Sequence, residues 1–427
     1  MGIKSVFSFY FKSNLLYRIL FALVLGSALG MLIDKNDDFI NFLTPFGDLF
    51  IRLLKMIMVP IIMFSLIVGT SSISPSHLGK VGVKAIVFYT ITSLIAILIG
   101  LGCGLLFNPG SGLELSSTAA TVAKSANAPT LSQIFLNIIP TNPFESAAKG
   151  DILPIICFCI FFGLGLAFCK DSEDERIKHS ANVVYSFFEG ASEIVFKIVK
   201  WVMQYAPIGV FALMFVVFNK TGLDAFTSLA NVTITLYVGL ALQVLIAYCG
   251  SCLLAGLNPM TFLKKVRPPM VTAFVTRSSN GTLPISMQTA EKDMGIPRSI
   301  YGFVLPVGAT VNMDGTTVYL GVCSIFMANA CGVELTMGNY VTIVATTMLA
   351  AVGTAGVPGA GALMLMLVLE SIGLKIEGVV AVAYGMIFAM DAVLDMGRTS
   401  MNVVGDMMAS VWVAKTEKEM DMEVWNS

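Results

Sequence analysis

Two stretches, RSSNGT at residues 277–282 and GTAGVPGAG at residues 353–361, decide how this sequence folds. Each interrupts the centre of an apolar segment, the first at about 260–290 and the second at about 338–370. Glycine, proline and serine disfavour a helix interior, so neither segment is predicted to be one straight helix. Irregular backbone inside a membrane is tolerated only where protein or a water-filled cavity covers it. The two stretches therefore predict a membrane fold with interrupted segments around a covered site.

The composition supports a membrane protein. Of the 427 residues, 56% are hydrophobic and 12% are charged. Soluble domains carry about 25% charged residues, so half that share leaves too little polar surface to face water. A bilayer span needs about 20 apolar residues. Eight candidate spans lie at about 15–34, 40–70, 82–107, 130–169, 182–218, 226–256, 299–331 and 378–414, and prolines 140, 143 and 154 break the fourth.

The charged flanks assign these segments to sides of the membrane. Basic loops alternate with loops poor in lysine and arginine, starting from a basic N-terminus, so both chain ends are expected in the cytoplasm. Basic residues at 264–267 and 292–298 flank the first interrupted segment, whereas Glu334 and Glu370 flank the second. Each segment thus enters and leaves on one side. The predicted fold is all-α, with eight transmembrane helices and two re-entrant helical hairpins of opposite orientation.

The last third of the chain reads as one unit repeated. The first hairpin precedes a span broken at NMDGT (312–316), and the second precedes a span that contains DMGRT (395–399). Because the hairpins enter from opposite faces, the two units form an inverted repeat. Transporters built this way place substrate and ions near the middle of the membrane, between the repeats.

Charged residues inside these spans mark the candidate site. Asp314 is the only charged residue between Ser299 and Val333, and Arg277 is the only one between Pro269 and Ala290. In the last span, one helical face is predicted to carry Asp391, Asp395, Arg398, Asn402 and Asp406, at successive steps of 4, 3, 4 and 4 residues. Intramembrane charges are costly and usually functional. The alternative is a structural Asp395–Arg398 pair, which leaves the other members of the stripe unexplained.

The side chains on this stripe complement an acidic amino acid. Arginine grips a carboxylate with two parallel hydrogen bonds and stays charged. Asp395 suits an ammonium group, and the Asn402 amide can donate to a second carboxylate. The remaining carboxylates, with carbonyls freed at helix breaks, suit hard cations that prefer oxygen ligands.

At these residues the chain resembles the dicarboxylate/amino acid:cation symporter family, which includes archaeal aspartate transporters and eukaryotic excitatory amino acid transporters. The matching motifs are RSSNGTLP (277–284), NMDGT (312–316), GTAGVPG (353–359) and DMGRT (395–399), then Asn402 and Gly405-Asp406. They occur in order and the resemblance covers nearly the whole chain.

The resemblance implies a homotrimer in the cell (inner) membrane that works by an elevator mechanism. Residues 1–80 and 129–222 would form the scaffold, with spans 1, 2, 4 and 5. Residues 81–128 and 223–415 would form a mobile transport domain that slides across the membrane, with the outer hairpin as gate. Residues 416–427 would be a cytoplasmic tail.

The resemblance also implies roles for individual residues. Arg398 would grip the substrate's side-chain carboxylate, Asp395 its ammonium group and Asn402 its α-carboxylate. Further substrate contacts are expected from Thr316, Thr399, Ser279, Val357, Gly361 and Arg277. Sodium ions, several per substrate, are the expected co-transported cations.

Three sodium sites are implied. The first would use Asp406 with the carbonyls of Gly308, Asn312 and Asn402. The second would use carbonyls of Thr310, Met313, Ala351, Val352 and Thr354. The third would use Tyr89, Thr92 and Ser93 with Asn312 and Asp314. The polar cluster 89–93 also stands out by itself in an apolar span, and helix–helix hydrogen bonding is its simpler explanation.

Several alternatives remain open. A neutral amino acid carrier is disfavoured by Arg398, and a C4-dicarboxylate carrier by Asp395. Proton coupling remains possible, although Leu320 stands where eukaryotic relatives have a proton-carrying glutamate. A channel or a receptor is disfavoured because the charges cluster at one depth and the tail is short. A catalytic site and a nucleic-acid partner are not expected, since both histidines (77 and 179) lie in predicted loops and the net charge is −1. Aspartate and glutamate differ by one methylene and are not separated.

Overall fold

The structure, a computed structural model, describes residues 15–33, 37–71, 80–113, 115, 136, 139–149, 152–351 and 358–426. Its described part is helical, in agreement with the predicted all-α class. The helices are α1 (Leu15–Leu32), α2 (Asp37–Ser71), α3 (Lys80–Phe107), α4 (Pro143–Lys149), α5 (Ile152–Lys170), α6 (Glu175–Thr221), α7 (Leu223–Gln243), a π-helical turn (Val244–Cys249), α8 (Gly250–Leu254), α9 (Pro259–Lys265), α10 (Arg267–Thr276), α11 (Ser279–Lys292), α12 (Arg298–Val311), α13 (Asp314–Ala330), α14 (Met337–Ala351), α15 (Ala360–Ser371), α16 (Gly378–Glu417) and α17 (Met422–Asn426).

Among the described helices, five are long and apolar enough to cross a bilayer: α2, α3, α6, the α7–α8 rod and α16. Helices α1, α5, α14 and α15 are apolar but shorter. These lengths agree with a membrane protein. The count of eight crossings and two hairpins stays a prediction, because length and composition do not by themselves fix sidedness.

Helix α3 has one exposed apolar face and one buried face. Val83, Val87, Ile91, Leu94 and Leu98 are exposed, at steps of three or four residues that place them on one face. The opposite face is buried and holds Tyr89, Thr92 and Ser93. Three side chains of the cluster at 89–93, Tyr89, Thr92 and Ser93, therefore point into the protein.

The predicted fourth span at 130–169 differs from the structure. Residues 143–149 form the short helix α4, and a separate apolar helix, α5, begins at Ile152. Proline has no N–H to donate and is favoured in the first helical turn, so Pro143 begins a helix rather than kinking a longer one. Asn142 caps α4 by accepting from the backbone N–H of Phe144 at 3.0 Å. Residues 116–135 lie outside the described chain.

The helices pack in two groups. In the first, α1 and α2 lie against α6, and α2 also lies against α5. In the second, α13 packs against α3, α7, α15 and α16. A side chain at Gly100 would lie 2.5 Å from the Val318 carbonyl, and one at Gly321 would lie 2.8 Å from the Leu101 nitrogen, so α3 and α13 cross in backbone contact. The two groups have the helix membership predicted for scaffold and transport domain, a division that stays a prediction.

Both interrupted segments break where the sequence predicts. Helix α10 ends at Arg277, whose φ of 54° is left-handed, and Ser278 caps α11 by accepting from Gly281 N–H. Helices α10 and α11 pack together, as do α14 and α15. The second tip is described only from residue 358, and Gly359 precedes α15 with a φ of 84°. Residues 352–357 lie outside the described chain.

The two spans that follow the hairpins differ in continuity. The first is broken, because α12 ends at Val311, Asn312 is extended and α13 begins at Asp314. The second, α16, is one uninterrupted helix of 40 residues. The repeated units therefore differ where they form the site, with broken backbone on one side and a continuous side-chain stripe on the other.

The C-terminal residues are packed against the protein. Trp425 in α17 is 2% exposed. Lys265 donates to the carbonyls of Asp293 at 2.7 Å and Val424 at 2.8 Å, and Asp421 N–H donates to the Gly295 carbonyl at 2.8 Å. Residues 416–426, predicted as a tail, thus attach to the ends of the first hairpin.

Candidate functional site

A buried cluster on α16 centres on Arg398, which is 1% exposed. Its Nη1 donates to Asp391 Oδ1 at 2.7 Å and its Nε donates to Asp395 Oδ1 at 3.0 Å. Nη2 lies 3.4 Å from Asp391 Oδ2. Asp395 lies one turn and Asp391 two turns before Arg398 on the same helical face, so both carboxylates reach the guanidinium. The guanidinium is thus held by two carboxylates.

Glycines let the backbone approach this arginine. A side chain at Gly361, in the first turn of α15, would lie 2.5 Å from Arg398 Cζ. A side chain at Gly315, in α13, would collide with the Arg398 carbonyl oxygen. The Tyr319 ring lies 4.5 Å from the guanidinium carbon, within range of a cation–π interaction. Arg398 is therefore enclosed by α13, α15 and α16.

The second oxygen of Asp395 faces both hairpin tips. Oδ2 accepts from Gly359 N–H at 3.3 Å and lies 4.0 Å from Arg277 Nη1. Thr399 donates to the other oxygen, Oδ1, at 3.0 Å. Both contacts of Oδ2 are longer than those of Oδ1, so Oδ2 is the oxygen of Asp395 with capacity left for another donor.

Asn402 joins α16 to the break before α13. Its Oδ1 accepts from the N–H groups of Gly315 at 2.8 Å and Thr316 at 3.3 Å, at a helix N-terminus where such groups lack intrahelical partners. Its Nδ2 lies 3.3 Å from Thr316 Oγ1 and 3.1 Å from Met313 Sδ. The amide donors thus meet a thioether and a hydroxyl, and a charged carboxylate would be a stronger acceptor than either.

Asp406, one turn further along, is 4% exposed and meets the same break. Asn312 Nδ2 donates to Asp406 Oδ1 at 2.9 Å and to the Asn402 carbonyl at 3.2 Å. A side chain at Gly308 would lie 2.5 Å from Asp406 Oδ1, so this carboxylate sits against the last turn of α12.

Asp314 is fully buried between α3, α7 and α13. Ser93 donates to its Oδ1 at 2.8 Å, while Tyr248 at 2.8 Å and Gln243 at 3.2 Å donate to Oδ2. Within the described chain, neither Asp314 nor Asp406 forms an ion pair with a basic residue. A buried carboxylate without a counter-charge must be neutralised by a proton or a cation.

Comparison with known proteins decides the family. The sequence profile of the sodium:dicarboxylate symporter family matches residues 15–416. The chain belongs to this family. It is therefore an integral-membrane symporter and not an enzyme, and its buried charges form part of a transport protein.

Three relatives of this symporter are named for different substrates or coupling ions. A "Proton/sodium-glutamate symport protein" of Geobacillus stearothermophilus is 34% identical over 420 residues, covering 96% of each chain. A "Proton/glutamate-aspartate symporter" of Escherichia coli (strain K12) is 34% identical over 425 residues, covering 96% of this chain and 94% of the relative. A "C4-dicarboxylate transport protein" of Bacillus subtilis (strain 168) is 31% identical over 415 residues, covering 96% and 94%.

The symporter's predicted substrate residues mostly meet in one place. Arg398, Asp395, Thr399, Asn402, Thr316, Gly361 and Arg277 all belong to the contacts described above. Ser279, in the first turn of α11, is 3% exposed and its hydroxyl has no hydrogen-bond partner among the described residues. Val357 lies outside the described chain. Bound substrate is needed to assign roles, so these stay predictions.

The predicted cation ligands form two groups and part of a third. Asp406, Gly308, Asn312 and Asn402 meet as described, and Ser93 reaches Asp314. Tyr89 donates to the Val304 carbonyl at 2.9 Å. The Thr92 hydroxyl lies 3.2 Å from the Tyr89 carbonyl and is also within hydrogen-bond reach of Asp314. For the second site, Thr310, Met313 and Ala351 are described, whereas Val352 and Thr354 are not.

A cavity of about 290 Å³ adjoins the site. Arg277, Gly359 and Asp391 line one wall, and α1 and α6 line the other, where Glu193 and Lys200 add charge. The cavity thus separates the two helix groups at the level of the hairpin tips, next to the least satisfied oxygen of Asp395.

Three participants in the site were missed or left without a role by sequence reasoning. The sequence places Asp391 on the polar stripe but does not predict its pairing with Arg398. Gln243 and Tyr248 were not identified at all. They are five residues apart, which in an α-helix places side chains on different faces, so no helical pattern could join them. Among the described residues, no group of three or more histidine, cysteine, aspartate or glutamate side chains forms a metal centre.

Proposed function

We propose that this protein is a sodium-coupled symporter of acidic amino acids, aspartate or glutamate. One observation carries the proposal. A buried arginine is shared between two aspartates at the point where the broken span, the continuous span and both hairpin tips meet. An acidic amino acid has two carboxylates, which match the cation and an amide donor, and an ammonium group, which matches an anion.

Groups of the substrate would replace contacts that the protein side chains make with one another. Its side-chain carboxylate would compete with Asp391 and Asp395 for Arg398, since a guanidinium offers five donors. Its ammonium group would bind Asp395, whose Oδ2 has only long contacts. Its α-carboxylate would take the Asn402 amide donor, with the Thr316 and Thr399 hydroxyls nearby. Each substrate group would then have an oppositely charged or hydrogen-bonding partner.

Charge balance supports cation coupling. The cluster contains two arginines, 277 and 398, and four aspartates, 314, 391, 395 and 406, which leaves two negative charges uncompensated. An acidic amino acid adds one more. Cations bound near Asp314 and Asp406 would remove this excess, and sodium suits sites made of carboxylate, carbonyl and hydroxyl oxygens.

The mechanism is proposed by family analogy and by the packing. The group α1, α2, α5 and α6 would form the static scaffold of a homotrimer in the inner membrane, with both termini in the cytoplasm. The group around α13 and α16 would carry the substrate across as an elevator, with eight spans and two opposed hairpins in all. The interface cavity between the groups supports this division, because a sliding surface need not be tightly packed.

A C4-dicarboxylate is the second candidate substrate, because one relative carries that name. Proton coupling is the second candidate for the ion, because relatives are named for protons as well as sodium. A neutral amino acid is disfavoured, since it has no side-chain carboxylate for Arg398 to bind.

Uptake into proteoliposomes tests the proposal. Labelled aspartate, glutamate and succinate should be compared under a sodium gradient at equal pH, and under a pH gradient without sodium. We expect aspartate or glutamate uptake driven by the sodium gradient. Uptake driven by the pH gradient alone, or a preference for succinate, would replace the proposal with one of the alternatives.

A further inference from the structure

The π-helical turn of residues 244–249 follows α7 directly, and Asp314 is contacted by the last residue of α7 and by one residue of the turn. Gln243 is the last residue of α7, and Tyr248 lies inside the π turn. In an α-helix, residues five apart point in directions about 140° apart, because each residue turns by about 100°. The wider π turn brings residues five apart onto one face. π turns are rare and recur at functional sites.

Both side chains are fully buried and act on the same oxygen. Tyr248 donates to Asp314 Oδ2 at 2.8 Å and Gln243 donates to it at 3.2 Å. Gln243 also donates to the Thr92 carbonyl at 3.1 Å, and thereby connects α7 to the polar cluster of α3. The carboxylate is thus oriented from both sides, with Ser93 on its other oxygen.

Within the described part of the chain, two amide oxygens lack donors, one on Gln243, which contacts Asp314, and one on Asn312, two residues before Asp314 in the chain. Gln243 and Asn312 are both 0% exposed. Among the described residues, neither Gln243 Oε1 nor Asn312 Oδ1 has a hydrogen-bond partner. Buried acceptors are normally satisfied, so each such atom calls for an explanation. An oxygen acceptor that no donor reaches is suited to a hard cation.

We propose that the π turn makes Gln243 and Tyr248 part of the cation site at Asp314. Tyr248 is a positioning residue that holds the carboxylate, and Gln243 supplies an amide oxygen to the ion. A half-turn of the Gln243 amide exchanges its nitrogen for its oxygen at Asp314. That orientation is repulsive beside a bare carboxylate and favourable once a cation lies between the two. The inference rests on the proposed sodium coupling.

The test uses purified full-length protein without substrate. Its melting temperature is titrated with sodium chloride, with choline chloride keeping the ionic strength constant. Gln243→Leu and Tyr248→Phe are compared with Tyr237→Phe, a matched control on α7 whose hydroxyl donates to the Val393 carbonyl at 2.9 Å, away from Asp314. We expect the sodium midpoint to rise at least tenfold in Gln243→Leu, several-fold in Tyr248→Phe and not at all in the control.

The outcomes separate this inference from the proposed function. A merely structural role would lower the melting temperature equally in sodium and in choline and leave the midpoint unchanged, which would overturn the inference alone. Wild-type protein that does not respond to sodium would overturn the proposed coupling and this inference together. If Gln243→Leu does not fold, Tyr248→Phe, which removes a single oxygen atom, decides the question.

Discussion

Replacing Arg398 by threonine is the most direct test of substrate class. Arg398 is the one basic residue on the α16 stripe and is 1% exposed, so water cannot substitute for it. A hydrogen bond to a charged group contributes about 1.5–3 kcal/mol. Two such bonds to a substrate carboxylate give at least about 3 kcal/mol, and each 1.4 kcal/mol is a factor of ten. Aspartate affinity should therefore fall at least about 100-fold.

The same substitution also removes the ion pairs that Arg398 makes within the protein. It leaves Asp391 and Asp395 with Arg277 as their remaining recorded cation, 4.0 Å from Asp395. Breaking a buried ion pair by removing one partner costs about 3–5 kcal/mol of stability. The double variant Arg398→Thr/Asp391→Asn removes one of the stranded charges and should recover part of this loss. It should not recover aspartate binding, because the cation is still absent.

Isothermal calorimetry in saturating sodium measures the affinity, and thermal denaturation measures the stability. Arg398→Lys is the intermediate case, since it keeps the charge but loses the two-point geometry. Serine and alanine should be tested as substrates of Arg398→Thr, because this variant lacks the guanidinium that a side-chain carboxylate would bind. Near-native aspartate affinity in the folded double variant would refute the assignment of Arg398 to the acidic side chain.

Four other substitutions test the substrate, cation and tail residues separately. Asp395→Asn should weaken aspartate binding by more than the roughly 1 kcal/mol of a neutral hydrogen bond; unchanged affinity in calorimetry would reject its ammonium role. Asp314→Asn and Asp406→Asn should flatten the dependence of aspartate affinity on sodium, and equal wild-type affinities in sodium, potassium and choline would instead contradict sodium coupling. Trp425→Ala should accelerate hydrogen exchange in the C-terminal residues, and unchanged exchange would show that its burial does not hold them.

The sequence predicted the parts of the site that lie on regular helices. Asp391, Asp395, Arg398 and Asp406 follow α-helical spacing, and their cost in a membrane makes them conspicuous. All four are buried on one continuous helix, and their role in binding stays a prediction. The cluster at 89–93 was visible for the same reason. Its members Tyr89, Thr92 and Ser93 are buried, and Ser93 donates to Asp314, so a role in the site stays a prediction with a contact behind it.

What the sequence could not show depends on irregular backbone or on tertiary contact. Gln243 and Tyr248 meet only because the helix widens to a π turn, which has no sequence signature in periodicity. The fourth span was drawn too long because apolar content does not reveal that Pro143 starts a helix. The docked tail was missed because its attachment depends on Lys265 reaching carbonyls far along the chain.

Asn312 and Asn402 give the proposed coupling a physical route. The Asn402 side chain binds the N–H groups of α13 beside the substrate residues, while its carbonyl accepts from Asn312. The same Asn312 amide donates to Asp406. A cation at Asp406 would compete for that oxygen, release or reorient Asn312, and so change the backbone that positions Asn402. Since such linkage is reciprocal, a substrate that fixes Asn402 must tighten the cation by the factor with which the cation tightens the substrate.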